Sequence, residues 1–139
     1  MRGKLLAAVF GHFLSNPGDA FVQALGGTAD DAKDLRYWPW EAKQDVQYPY
    51  AVSQIVSDVD VGAITDDISD IEWQIMIYTE TLTEGNNMAS LCRKLFSRQE
   101  LSYDGVCFVC MYDMTVSPMR ESNADPFLTT VIFSCYLEE

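Results

Sequence analysis

Between residues 71 and 78 the chain alternates without a break: Ile71, Trp73, Ile75 and Ile77 are apolar, and Glu72, Gln74, Met76 and Tyr78 stand between them. Successive strand side chains point to opposite faces, so a period of two specifies an extended strand and rejects a helix, whose apolar stripe repeats every 3.6 residues. One face of that strand is wholly apolar and must be covered. A chain with this segment has to build a sheet and find something to lay on it.

Helices can supply the cover. Leu5, Leu6, Val9, Phe10, Phe13 and Leu14 recur at helical spacing and predict a first helix of about three turns, with His12 off the stripe and exposed. Asn16, Pro17, Gly18 and Asp19 interrupt it. Asn16 is placed to cap a second, short helix, with Pro17 in its first position and Phe21, Ala24 and Leu25 buried. Gly26 and Gly27 would end that helix through positive φ. Met88, Leu91, Cys92, Leu95 and Phe96 predict a third helix over 84–97, and Arg93, Lys94 and Arg98 suit the negative pole of its dipole.

Further strands are predicted over 50–56, opened by Pro49, over 106–116 after an Asp104-Gly105 turn, and over 127–137. The order helix, helix, strand, strand, helix, strand, strand predicts one α+β domain across residues 1–139. Its sheet would be antiparallel or mixed, four-stranded, and packed by two to three helices. Phe127, Val131 and Phe133 fall on one side of the last strand and Leu128, Ile132 and Tyr136 on the other, a pattern of burial on both faces. With so few helices, the second face calls for association between copies.

The 139 residues are 48% hydrophobic and 22% charged, proportions that permit a folded core. No apolar run approaches the eighteen or so residues of a membrane span, and no membrane association is expected. Arg2 and Lys4 ahead of Leu5 are weak imitations of a signal peptide, and a mature helix is expected there. The cysteines at 92, 107, 110 and 135 lie in apolar segments and are expected to be reduced thiols. Cys107 and Cys110 form a CxxC, but strand alternation puts them on opposite faces, where they could not share a metal.

The net charge is −12, and from Gln44 to Cys92 nine acids occur with no Lys or Arg. Such a stretch disfavours direct contact with nucleic-acid phosphates. Asp58, Asp60, Asp66 and Asp67 concentrate in an expected loop over 58–69, with Asp70 directly after it. Its spacing does not suit an EF-hand, because with Asp58 and Asp60 at positions one and three Gly62 falls at five instead of six and Ser69 replaces the bidentate Glu at twelve. Acid/base catalysis usually recruits histidine, of which His12 is the only one, and GxSxG, P-loop, GxGxxG and HExxH motifs are missing from the sequence. No catalytic, cofactor or metal site is expected. Tyr37, Trp38, Pro39 and Trp40 form an aromatic cluster that serves either as a lid over the core or as an interface, Trp38 and Trp40 being the interface candidates.

Taken in order, these features resemble the tail-completion or tail-terminator proteins of long-tailed bacteriophages. The likeness runs through the amphipathic first helix, the break at 16–19, the short second helix, the aromatic-proline segment at 37–39 and the proline-led strand at 48–52. It continues through the strand at 71–78, the helix at 84–97 and the terminal strand pair. The resemblance implies a non-enzymatic virion protein at the head–tail interface, made in the host cytoplasm. It would form a homohexameric ring that caps the tail tube protein and meets the head-completion or connector protein, while DNA passes through the lumen without sequence-specific binding. On that reading the acids at 58, 60, 66, 67 and 70 face the lumen or an interface and repel phosphates. A neighbouring neck adaptor, an acidic DNA-mimic inhibitor of a nucleic-acid-binding protein, or a small enzyme of unfamiliar type are the alternatives.

Overall fold

The alternating segment at 71–78 lies at the centre of a six-stranded mixed sheet. The computed structural model describes residues 2–28, 30, 34–43, 46–60 and 69–138. Along the chain these form α1 (Arg2–Ser15), α2 (Ala20–Ala24), β1 (Tyr37–Pro39), β2 (Tyr50–Asp60), β3 (Ser69–Thr79), α3 (Leu82–Phe96), β4 (Gln99–Tyr103), β5 (Val106–Met119) and β6 (Phe127–Glu138). The strands lie in the order β1-β2-β3-β6-β5-β4, with β1 parallel to β2 and every other pair antiparallel. The architecture is α+β. No helix among the described residues is long and apolar enough to cross a membrane.

One face of β3 carries Ile71, Trp73, Ile75 and Ile77, all fully buried. Register sets Ile75 between Ser53 and Val131, and Trp73 between Ile55 and Phe133. Each aliphatic or aromatic side chain buried this way contributes about 1.5–3 kcal/mol, so β3 anchors the core. Phe96 of α3 meets the rings of Trp73 and Phe133 at 5.4 and 5.8 Å, and Phe13 of α1 meets Phe96 at 5.2 Å and Tyr37 at 4.3 Å. The sheet curls around α1. At one edge the Lys4 ammonium lies 3.5 Å from Asp104 beside β4, while at the other edge Phe10 stacks on Tyr37 of β1 at 5.9 Å.

Local chemistry explains the element ends. Thr81 is the N-cap of α3, its hydroxyl accepting from the Glu84 backbone N–H at 3.1 Å, the first half of a Thr-x-x-Glu capping box. Arg93 and Lys94 occupy the last turn, as the dipole favours. Asp104 and Gly105, at φ 50° and 77°, form the two-residue turn of the β4–β5 hairpin. Gly85 lets α3 approach the sheet: a Cβ there would sit 2.7 Å from Thr129 Oγ1 and 3.2 Å from Thr79 Oγ1.

Several expectations are corrected. The sheet has six strands, not four. The two unforeseen ones are short edges, β1 with three residues and β4 with five, too brief to show a period. β2 runs on to Asp60 and β3 begins at Ser69, so the two ends of the expected 58–69 loop are paired strand, and residues 61–68 lie outside the described residues. Asn16 does not cap α2, and Pro17 lies in a turn before it. Asp19 is the cap, accepting from the Phe21 N–H at 2.8 Å, while the Asn16 amide donates back to the His12 carbonyl at 2.8 Å and closes α1. Gly26 takes a positive φ of 98° at the end of α2; Gly27 does not.

His12 is not an exposed histidine. It is half-buried between α1 and α3, its ring 5.2 Å from Phe96, with Nε2 3.0 Å from the Leu95 carbonyl. A carbonyl can only accept, so Nε2 carries the proton. The contact satisfies one of the orphan carbonyls at the end of α3.

The cysteines are corrected too. Cys110 and Cys135 sit opposite each other on β5 and β6 and form a disulfide, rather than remaining as reduced thiols. Cys92 and Cys107 are free, the first buried and the second half-buried, and Cys107 lies on the opposite face from Cys110, as alternation requires. Burial holds the Cys92 thiol well above its usual range, with the Asp19 charge adding to the effect.

Candidate functional site

All three helices pack on one side of the sheet, and among the described residues no helix or strand covers the other side. Rows on this uncovered face follow from the register. Tyr50, Tyr78, Leu128 and Met119 form one row; Val52, Met76, Thr130 and Val116 the next; Gln54, Gln74, Ile132 and Met114 a third. Met114, Met119 and Tyr136 are 49%, 60% and 48% exposed. This is a large amount of apolar surface to leave in water on one face. None of the six strands contains a Lys or Arg. Every described basic residue lies in a helix or a connection, so the charges borne by the sheet are all negative.

Three of the predicted acidic residues lie at one end of the β2–β3 pair. Asp58 pairs with Ile71, Val59 with Asp70 and Asp60 with Ser69, which brings Asp58, Asp60 and Asp70 to the hairpin's last rungs. Asp66 and Asp67 lie outside the described residues. Among the described residues no three of His, Cys, Asp and Glu gather closely enough to hold a metal ion.

The aromatic segment divides into separate environments. Tyr37 joins the core at 1% exposure, its hydroxyl bonded to Ser53. Burial raises its phenol far above the ordinary value, an effect the Ser53 hydrogen bond only partly opposes. Trp38 is half-buried on β1, edge-on to Tyr50 at 6.4 Å. Trp40 is 49% exposed at a positive φ of 72°, a conformation that costs a bulky residue about 1–2 kcal/mol. Gly3, Leu6, Ala7, Phe10 and Pro39 share a shallow hollow with it. The segment is therefore part core, at Tyr37, and part surface, at Trp40.

Residues that sequence patterns could not associate complete the surface. Tyr48 stacks on Tyr50 at 5.6 Å, and Tyr50 on Tyr78 at 4.7 Å, with rings 19° and 16° from parallel. Desolvation raises the Tyr50 and Tyr78 phenols above their usual value, the neighbouring phenols adding to it at Tyr50, so both remain neutral hydroxyls. Tyr78 lines two hollows. One, of about 250 Å³, includes Trp40, Glu41, Val52 and Met76; the other, of about 460 Å³, includes Met119, Arg120, Glu121, Asp125 and Leu128. The proximity of residues 48, 50 and 78 follows from strand register, which no local pattern encodes.

No family model matches this chain, and no curated protein matches it. One solved structure superimposes on it with a TM-score of 0.61, covering 96% of this chain and 96% of its own at 10% identity. Likeness at that identity establishes a shared fold alone.

Proposed function

We propose that this protein is a structural virion subunit, a tail terminator that closes as a homohexameric ring on the tail tube and joins it to the head connector. The observation that carries this reading is the uncovered sheet face. It combines exposed Met114, Met119 and Tyr136 with strands that hold no basic residue. Apolar surface of this kind favours association, while an absence of cations around a passage keeps DNA phosphates from sticking. The hairpin end bearing Asp58, Asp60 and Asp70 would then face the lumen, where DNA slides past without sequence-specific contact. Rings need two different complementary patches on each subunit. The hollow beside Trp40 on α1 supplies a second patch distinct from the sheet face.

Light scattering on a sizing column at low and high salt, followed by electron microscopy, tests the reading. A six-subunit species with a central hole that binds tail tube ends supports it. A monomer at both salts that ignores tail tubes would sink it, as would a ring with Asp58 and Asp60 on the outer rim. Capture of the connector but not of the tube would move the protein one place along, to a head-completion adaptor. The acidic strands also favour a second reading, an inhibitor that mimics DNA, which predicts a monomer or dimer binding a basic protein with steep salt dependence.

A further inference from the structure

We propose that the outer edge of β5, from Met111 to Met119, is a pairing site for the same edge of a second copy of this chain, the two strands running antiparallel about Thr115. The inference goes beyond the ring reading and does not depend on it.

β4 covers β5 only from Val106 to Cys110. The sheet ends with β4, so among the described residues no strand lies beside Met111–Met119 on the side away from β6. Such an edge presents unpaired N–H and C=O groups, and Met111, Met114, Val116 and Met119 stand exposed along it. Its one charge is Asp113.

The residues of this edge select what can lie against it. Two identical strands related by a two-fold axis set residue i of one opposite residue j of the other, and j opposite i. About Thr115, the midpoint of the open stretch, Met111 meets Met119, Tyr112 meets Pro118, Asp113 meets Ser117, Met114 meets Val116, and Thr115 meets itself. Polarity matches in every pair. Residues directly opposite must also share a sheet face, and these do. Met111, Met114, Val116 and Met119 register with Ser134, Ile132, Thr130 and Leu128 on the uncovered face. Tyr112 and Thr115 join hydroxyls at 2.7 Å on the helical side, where Arg93 of α3 lies over Tyr112 and Gly85 of α3 lies against Pro118. The two irregularities of β5, between Tyr112 and Met114 and between Val116 and Met119, also flank Thr115. Like charges stay apart, because the two Asp113 carboxylates would be four residues from each other along the strands, roughly 13 Å. The length fits as well. β4 blocks the edge at Cys110, and beyond Met119 the chain turns away, with the Arg120 guanidinium 4.5 Å over the Phe127 ring.

β2 shows that an open edge alone is not enough. Beyond Ser53 it too has no outer strand among the described residues, but pairing about its midpoint at Ser57 would set Asp58 against Val56 and Asp60 against Gln54. A two-fold contact cannot close a head-to-tail ring, so the β5 contact is additional to those that the ring requires. It takes up edge backbone and leaves the side chains of the uncovered face in place.

Cysteine cross-linking in a Cys107→Ser background tests the proposal. Cα atoms directly opposite in antiparallel strands are about 4.5–5.5 Å apart, within reach of a disulfide. Under copper–phenanthroline oxidation, Thr115→Cys should bridge to itself at least about tenfold faster than Met111→Cys or Met119→Cys alone, because pairing raises the effective concentration of the two thiols. An equal mixture of Met111→Cys and Met119→Cys should bridge as fast as Thr115→Cys. This second pair is exposed and leaves the Tyr112–Thr115 hydrogen bond intact. Adding Ser117→Asp, which sets an acid opposite Asp113, should slow the Thr115→Cys bridge about fivefold, and Ser117→Arg should speed it. Thr115→Cys bridging no faster than the Met111→Cys or Met119→Cys variant alone, a mixture no faster than its components, or indifference to both changes at Ser117 would overturn the proposal. Each readout is local to this edge, so the presence or absence of a six-subunit ring changes none of them.

Discussion

Gly85→Ala sets two known effects against each other at one atom. Alanine is better than glycine inside a helix by about 1 kcal/mol, so on a free helix the change would stabilise α3. Here the new methyl would meet Thr129 Oγ1 at 2.7 Å, Pro118 Cγ at 3.1 Å and Thr79 Oγ1 at 3.2 Å. Thr79 and Thr129 are both fully buried on central strands and cannot swing aside. Overpacking of this kind costs about 1–3 kcal/mol, and three close contacts against fixed strands place it toward the upper end. The net expectation is a loss of about 1–2 kcal/mol. Thr129→Ala removes the closest obstacle, and also a buried hydroxyl that has no hydrogen-bond partner. In that background Gly85→Ala should be close to neutral, a coupling of at least 1 kcal/mol between the two sites. Urea titrations of the wild type, both single variants and the double variant, followed by circular dichroism, complete the cycle. If Gly85→Ala is as stable as the wild type, or if the two changes simply add, the helix does not approach the sheet as described.

Thr81→Ala should cost about 1 kcal/mol through loss of the α3 cap, measured by the same titrations, while Thr81→Ser should retain most of it. His12→Ala should remove a similar amount, about 1 kcal/mol, by leaving the Leu95 carbonyl without its donor. Tyr37 keeps its proton to higher pH when folded than when unfolded, so its contribution is complete below pH 10.0 and declines as pH rises toward the raised folded value. Tyr37→Phe should flatten the alkaline loss of stability by up to about 1.4 kcal/mol per pH unit while lowering stability at neutral pH. Reducing the Cys110–Cys135 bond, which spans 25 residues, should cost about 3–4 kcal/mol on the loop-entropy model.

What the sequence made legible was whatever repeats locally. The β3 alternation and the α3 stripe located two core elements, since a buried face imposes its period directly on neighbouring residues. The Asp104-Gly105 turn was visible for the same reason. β4 was not: of its five residues only Leu101 is buried, so no alternation distinguishes it from a loop. β1 exists because it pairs with β2, a tertiary fact. The capping box at Thr81 and Glu84 was present in the sequence, but the start of α3 was placed at 84 by its apolar stripe, which begins later than its cap. His12 looked exposed because α1 alone was considered, and the partner that covers it is α3. Of the acids grouped in one loop, Asp58, Asp60 and Asp70 belong to strands. The tyrosine row could not be foreseen, because Tyr50 and Tyr78 are brought together only by register.

The absence of Lys and Arg from the strands also decides how a protease sees this protein. Trypsin has no site between Lys43 and Arg93, none between Arg98 and Arg120, and none after Arg120. β2 and β3 therefore leave together in one long fragment, β4 and β5 in a second, and β6 in a third. Limited digestion cuts only in helices and connections and makes no cut inside a described strand. Complete digestion without reductant should yield residues 99–120 covalently joined to 121–139, with Cys107 alkylatable and Cys92 on a different fragment. One mass spectrum of that digest reads the cysteine pairing of the folded chain directly.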